Sequence, residues 1–200
     1  MTSKSENGKI TRNMIRVVVK KPSNSKNEAW VFLVSIADAI SSSTYERLSE
    51  AERFYNRSQQ KWLDLASQIK KNKSNAILKW KLGRDIGQTM KIIEKRWAIE
   101  ITNIVGAVAE LLGTSRSFIR YCMRASERIR LKDLEKMRIN WSKIQEVLDI
   151  TDDAKMLECL NLIIEGKITK DSEIREFKKK CRSEAAQKKN GNFKRKIFQA

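Results

Sequence analysis

The sequence has no histidine, one proline, seven glycines and only three cysteines in 200 residues. Without histidine the chain lacks the commonest general base at neutral pH, which counts against an enzyme and leaves no catalytic residue to nominate. Cys122, Cys159 and Cys181 are odd in number and far apart, a spacing that fits neither a zinc site nor a disulfide framework. No metal or cofactor is therefore expected, and a reduced, cytoplasmic setting is. Long apolar runs are missing too. The longest, residues 29–40, is short and carries Asp38. Residues 1–9 are polar with no apolar core close behind, which argues against a secretory signal. So little proline and glycine, beside abundant Lys, Glu, Ile and Leu, favours helix over sheet.

What the chain has in excess is positive charge. Lys and Arg number 42 against 24 Asp and Glu, a formal +18 with a pI near 10.0. Such an excess attracts a polyanion, and nucleic acid is the default partner. A membrane surface would also attract it, but the basic segments lack an interleaved apolar face. Residues 175–200 hold ten basic and two acidic residues, so +8 of the charge sits there.

Residues 1–12 read as a loose polar segment. The β-branched run 15–19 predicts a strand, closed by a turn at Lys21-Pro22-Ser23-Asn24. Residues 29–40 fit either a returning hairpin strand or a buried helix. Ser43 followed by Glu46 is a capping box that opens a helix to about Lys71. Along it Leu48, Ala51, Tyr55, Ser58, Trp62, Leu65 and Ile69 recur at spacings of three and four. This is either a face on the protein's own core, the favoured reading, or a short coiled-coil seam and candidate dimer contact. Residues 72–75 are a polar break. A second helix is expected from Ile77 to about Trp97, with Gly83 and Gly87 weakening it or admitting a close neighbour. Residues 100–180 read as four or five short helices, and 187–198 as a flexible basic tail.

The chain thus divides into an N-terminal arm with a strand or hairpin (1–42), a long amphipathic helix plus a second (43–98), a helical domain (99–180) and a basic tail (181–200). The fold class is mainly α.

Within the helical domain Ala109 supplies a small residue and Gly113, four residues on, a site for positive φ. Ile119 and Cys122 follow six and nine residues past the glycine. These are the spacings of a helix-turn-helix, in which a small contact, a permissive turn and apolar locking residues are all required. A second helix starting near Ser115 presents Ser115, Arg116, Ser117, Arg120, Tyr121 and Arg124 outward, all able to hydrogen-bond. Arg116, Arg120, Arg124 and Arg128 form one stripe at i,i+4 spacing that repels itself unless an anion lies against it, with Glu127 nearby. The plain alternative is a surface helix of a bundle, with Phe118, Ile119, Cys122, Ala125 and Ile129 inside. Taken with the net charge, the pattern favours readout of double-stranded DNA by Thr114, Ser115, Arg116, Ser117, Arg120, Tyr121, Arg124 and Arg128.

Downstream, Ser142 with Gln145 predicts another capped helix. Thr151 or Asp152 caps the next, Gly166 closes it, and Thr169 opens a last helix through Ile174 and Phe177. The run Val108-Ala109-Glu110-Leu111-Leu112-Gly113-Thr114-Ser115-Arg116-Ser117, with Ile139-Asn140-Trp141-Ser142-Lys143 and Glu165-Gly166-Lys167-Ile168-Thr169, resembles the helix-turn-helix region of ParB/KorB partition proteins. The resemblance covers residues 100–180. It implies DNA contacts at Ser115, Arg116, Ser117 and Arg120. The arginine-rich nucleotide-binding box of those proteins has no counterpart here, so CTP binding and clamp sliding are not implied. A second resemblance, carried by Trp80-Lys81-Leu82-Gly83-Arg84-Asp85-Ile86, Trp97 and Trp141-Ser142, is to the N-terminal domain of YhcG-type nucleases. The chain lacks room for their separate nuclease domain, so this likeness implies binding without cutting.

These readings converge on a nucleoid-associated DNA binder acting in partition or transcription control, and a palindromic target would demand a homodimer. The alternative is a protein that coats nucleic acid without reading it. Asp152, Asp153 and Glu94 are isolated carboxylates, better explained by capping than by catalysis.

Overall fold

Among the described residues every helix lies beyond the single proline, Pro22, and the composition is realised as mainly helix with one small sheet. The computed structural model describes residues 14–21, 30–34, 41–137 and 139–197, with side chains as far as Glu184. The expected N-terminal polar segment and most of the 21–24 turn lie outside the described residues. In order the elements are β1 (Ile15–Lys20), β2 (Val31–Val34), α1 (Ser42–Lys71), α2 (Ala76–Trp97), β3 (Ile99–Ile101), α3 (Ile104–Leu112), α4 (Arg116–Arg128), α5 (Leu131–Lys136), α6 (Trp141–Leu148), α7 (Asp153–Ile164) and α8 (Asp171–Ile197). They form two compact units, one of Met1–Asp64 with Asp85–Arg116, the other of Leu65–Arg84 with Ser117–Ala200.

The first unit is built on a sheet of order β2-β1-β3. β1 alternates strictly, with Ile15, Val17 and Val19 buried, as a strand with one covered face must. It pairs antiparallel with β2, placing Val18 opposite Leu33, and parallel with β3, placing Ile15 opposite Ile99. Within the ambiguous 29–40 run, Val31–Val34 form a strand, while residues 29 and 35–40 lie outside the described residues. β3 was not anticipated: three residues are too few for alternation to show, and their partner lies more than eighty positions away.

The outer edge of β2 is covered by side chains of α1. Trp30 N donates to Asn56 Oδ1 at 3.0 Å, Asn56 Nδ2 returns to Trp30 O at 2.9 Å, and Phe32 N donates to Glu52 Oε2 at 2.7 Å. This satisfies backbone groups that an open edge would leave to water or to another strand. Asn103 does the same beyond β3, its side chain exchanging two 2.8 Å bonds with the Val19 backbone. Tyr55 stands edge-on to both Phe32 and Trp62 at ring separations of 5.6 and 5.4 Å.

Leu48, Ala51, Tyr55, Trp62, Leu65 and Ile69 of the α1 seam are all buried within the chain. The seam is a core face, as favoured, and is not available as a coiled-coil contact. The cap of α1 also differs from expectation: Ser41, not Ser43, accepts the N-terminal bond, from Thr44 N at 3.3 Å. Glu46 lies too far along to answer it.

In the second unit Gly83 of α2 meets the α4 backbone directly, since a Cβ there would lie 1.9 Å from Cys122 O. Trp80 Nε1 donates to Ile129 O at 2.7 Å beside this approach. Gly87 has open space around it, so of the two glycines only Gly83 admits a close neighbour. The polar break after α1 caps α2 through Asn75 Oδ1, which accepts from Leu78 N. Helices α6, α7 and α8 pack together over Ile144, Leu148, Met156, Leu160 and Ile174. Asn140 caps α6 by accepting from Lys143 N, and Ser142 instead donates to Asn140, so the expected capping residue sits inside the helix. Asp152, rather than Thr151, caps α7. α8 begins at Asp171, and its backbone continues to Ile197 where a flexible tail was expected. Lys, Arg, Ala and Gln sustain a helix well, and no proline interrupts them.

Candidate nucleic-acid interface

The α3–α4 connection is set by Gly113, whose φ of 58° and ψ of 46° place it in the left-handed region that favours glycine. Gly113 N then donates to Glu110 O, and Thr114 N to Ala109 O at 2.9 Å, closing the last turn of α3. Val108, Ala109 and Leu112 are buried on α3. Beyond the turn α4 buries Ile119, Cys122 and Ala125, three residues apart, on one stripe.

The opposite stripe is less uniform than the sequence suggests. Ser115, Arg116, Ser117 and Arg120 are exposed, whereas Thr114, Phe118, Tyr121, Arg124 and Arg128 are half-buried. Arg116 folds back over Gly106 of α3, with its guanidinium 3.5–3.6 Å from where a Cβ would stand. Arg120 is exposed and has no ion-pair partner among the described residues.

The two C-terminal arginines are engaged by the protein itself. Arg124 NH1 lies 3.7 Å from Asp149 Oδ1 and its NH2 donates to Leu148 O. Arg128 donates from NH1 to the same Leu148 carbonyl at 2.9 Å, and its NH2 pairs with Asp153 Oδ1 at 2.6 Å. The stripe that was expected to need an external anion thus finds two internal ones, along with the carbonyl-rich end of α6, where the helix dipole favours cations.

Asp149, the C-cap of α6, is the centre of this arrangement. It accepts from Tyr121 Oη at 2.9 Å and pairs with Lys178 Nζ at 3.2 Å. Lys178 also bonds Glu146 at 2.7 Å, and Arg175 reaches Glu146 at 3.5 Å. The bond to Asp149, then burial, raises the Tyr121 phenol above its ordinary range. The bond from Lys178 holds Glu146 below its own. These partners were missed from the sequence; the acidic cluster Asp149, Asp152 and Asp153 just after α6 was the available signal.

Lys79 and Cys122 are both buried in the second unit. Lys79 Nζ donates to Lys73 O at 2.7 Å and lies 4.9 Å from the centre of the Trp141 ring. Burial lowers the Lys79 amine and pushes the Cys122 thiol up to about 12, so the thiol stays protonated and unreactive. Among the described residues no cluster of Cys, Asp and Glu could hold a metal ion, and no helix is long and apolar enough to cross a membrane.

No known protein family, curated protein or solved structure matches this chain.

Proposed function

We propose that this protein binds duplex DNA, with the first two turns of α4 presented to the groove and its last two turns fixed to the protein. The observation that carries this reading is the division of α4. Ser117 and Arg120 are exposed on a helix whose far face is buried, while Arg124 and Arg128 are held by α6 and α7. A side chain that specifies a base must be free to reach its edge, and a helix that positions it must not roll. Ser115 and Arg116 stand at the N-terminal end of the same helix, where backbone N–H groups favour phosphate. The net charge of +18 supplies the sequence-independent attraction.

In this reading the chain recognises its site as a homodimer and works in partition or transcription control, in keeping with the ParB/KorB resemblance of residues 100–180. The dimer contact lies elsewhere than the α1 seam, which is buried. A non-specific coating role is favoured by a different observation, the +8 carried by residues 175–200, most of them on α8.

Selection of sites from a random duplex library, followed by titration of the selected and a scrambled duplex across salt concentrations, separates the two. A reader prefers its site by roughly a thousandfold or more, and Arg120→Ala erodes that preference. A ratio near unity, with affinity falling only as salt rises, overturns base readout and leaves coating.

A further inference from the structure

A cleft of about 430 Å³ lies among the α5–α6 connection, α6, the end of α7 and the α7–α8 connection. About half of its lining is apolar, from Met137, Ile139, Ile163, Ile164 and Ile168. Met137, Ile163 and Ile168 are buried, while Ile164 stands at the mouth, 46% exposed. Among the described residues of this unit the other exposed large apolar side chain, Leu157, lies two turns earlier on α7. The exposed Lys136 and the half-buried Lys143 also line the cleft, with the neutral Asn140 and Thr169. Lys143 Nζ donates to the Thr169 carbonyl, which a ligand oxygen could replace.

This lining discriminates among ligand classes. Among the described residues that form it none is acidic, so a metal cation finds no ligands. None is aromatic, so a nucleobase finds nothing to stack upon. An apolar lining together with cationic and neutral polar groups suits an amphipathic small molecule, and the volume falls within the usual range of about 300–1,000 Å³ for such sites. We propose that this cleft binds a small amphipathic carboxylate, an aliphatic chain against the isoleucines with its anion on Lys143 and Lys136. The site is separate from the exposed turns of α4 and does not depend on DNA reading.

The test is calorimetric titration of the full chain with decanoate, shorter alkanoates, acetate and decanol. Decanoate should bind one to one, weakening roughly fourfold for each methylene removed. Decanol should bind roughly tenfold more weakly, as should decanoate to Lys136→Met/Lys143→Met. Ile164→Trp, at an exposed position that tolerates bulk, should block the mouth and abolish binding without lowering the thermal midpoint. Absence of decanoate binding overturns the proposal. So does decanol binding as tightly as decanoate, acetate competing as well as decanoate, or Ile164→Trp leaving the affinity unchanged.

Discussion

The Tyr121 hydroxyl donates a 2.9 Å hydrogen bond to Asp149 Oδ1, fastening the middle of α4 to the C-terminal end of α6. That bond exists only while the phenol is protonated. Because Tyr121 is raised above its ordinary range, the stabilisation is complete below that range and is lost as pH climbs through the folded value. Asp149→Ala should therefore lower the pH at which Tyr121 ionises. Phenolate absorbance in a Tyr45→Phe background, which removes the exposed tyrosine, reads the change. An unshifted titration would mean that the bond does not cause the elevation.

The four arginines of α4 should separate by readout. Arg120→Ala removes an exposed side chain with no ion-pair partner among the described residues, so stability should change by no more than about 0.5 kcal/mol. Under the proposed function its DNA affinity should fall by about 1–3 kcal/mol. Arg128 is only 16% exposed and holds Leu148 O and Asp153, so Arg128→Ala should cost roughly 1–2 kcal/mol of folding stability. Thermal melts and duplex titrations on both variants check the split. It fails if Arg120→Ala destabilises the fold or Arg128→Ala does not.

Much of this was legible beforehand where the signal is local. Helix breaks at 72–75 and 113–115, the strand at 15–19 and the α1 core face depend on residues close in sequence, and the structure places them as expected. The caps of α1 and α6 lie two residues earlier than expected, because Ser41 and Asn140 precede the Ser-x-x-Glu and Ser-x-x-Gln patterns at Ser43 and Ser142. What the sequence could not display is pairing over distance. Arg124 and Arg128 read as a bare stripe because their partners stand 20–25 residues away, at the end of α6 and the start of α7. β3 and α5 were too short for periodicity to register.

Glu173 predicts a pH dependence of the opposite sign. Its carboxylate accepts from Thr169 N at 2.7 Å and Lys170 N at 2.9 Å, bonds that cap the start of α8. The bond from Lys170, then that from Thr169, holds its carboxyl below the ordinary glutamate range. The stabilisation is therefore present above that range and lost as pH falls through the depressed value. Glu173→Gln keeps the shape but weakens the acceptor, so wild type should melt higher at neutral pH and the gap should close in acid. A gap independent of pH would assign the effect to packing instead of the carboxylate.

The two glycines of α2 should respond oppositely to the same substitution. Glycine inside a helix costs backbone entropy, and replacing it with alanine gains about 0.5–1 kcal/mol where the methyl has room. At Gly87 nothing lies within 4 Å of the added carbon, so Gly87→Ala should raise the melting temperature by about 1–4 °C. At Gly83 the same carbon would lie 1.9 Å from Cys122 O and 2.6 Å from Met123 N, both backbone atoms of α4 that cannot rotate aside. Gly83→Ala must push the two helices apart and disturb the bond from Trp80 to Ile129 O, at a cost of about 3 kcal/mol or more. Tryptophan fluorescence should report the displacement of Trp80 even where the variant still folds. Equal melting temperatures for the two variants would show that α2 and α4 do not approach as closely as Gly83 implies.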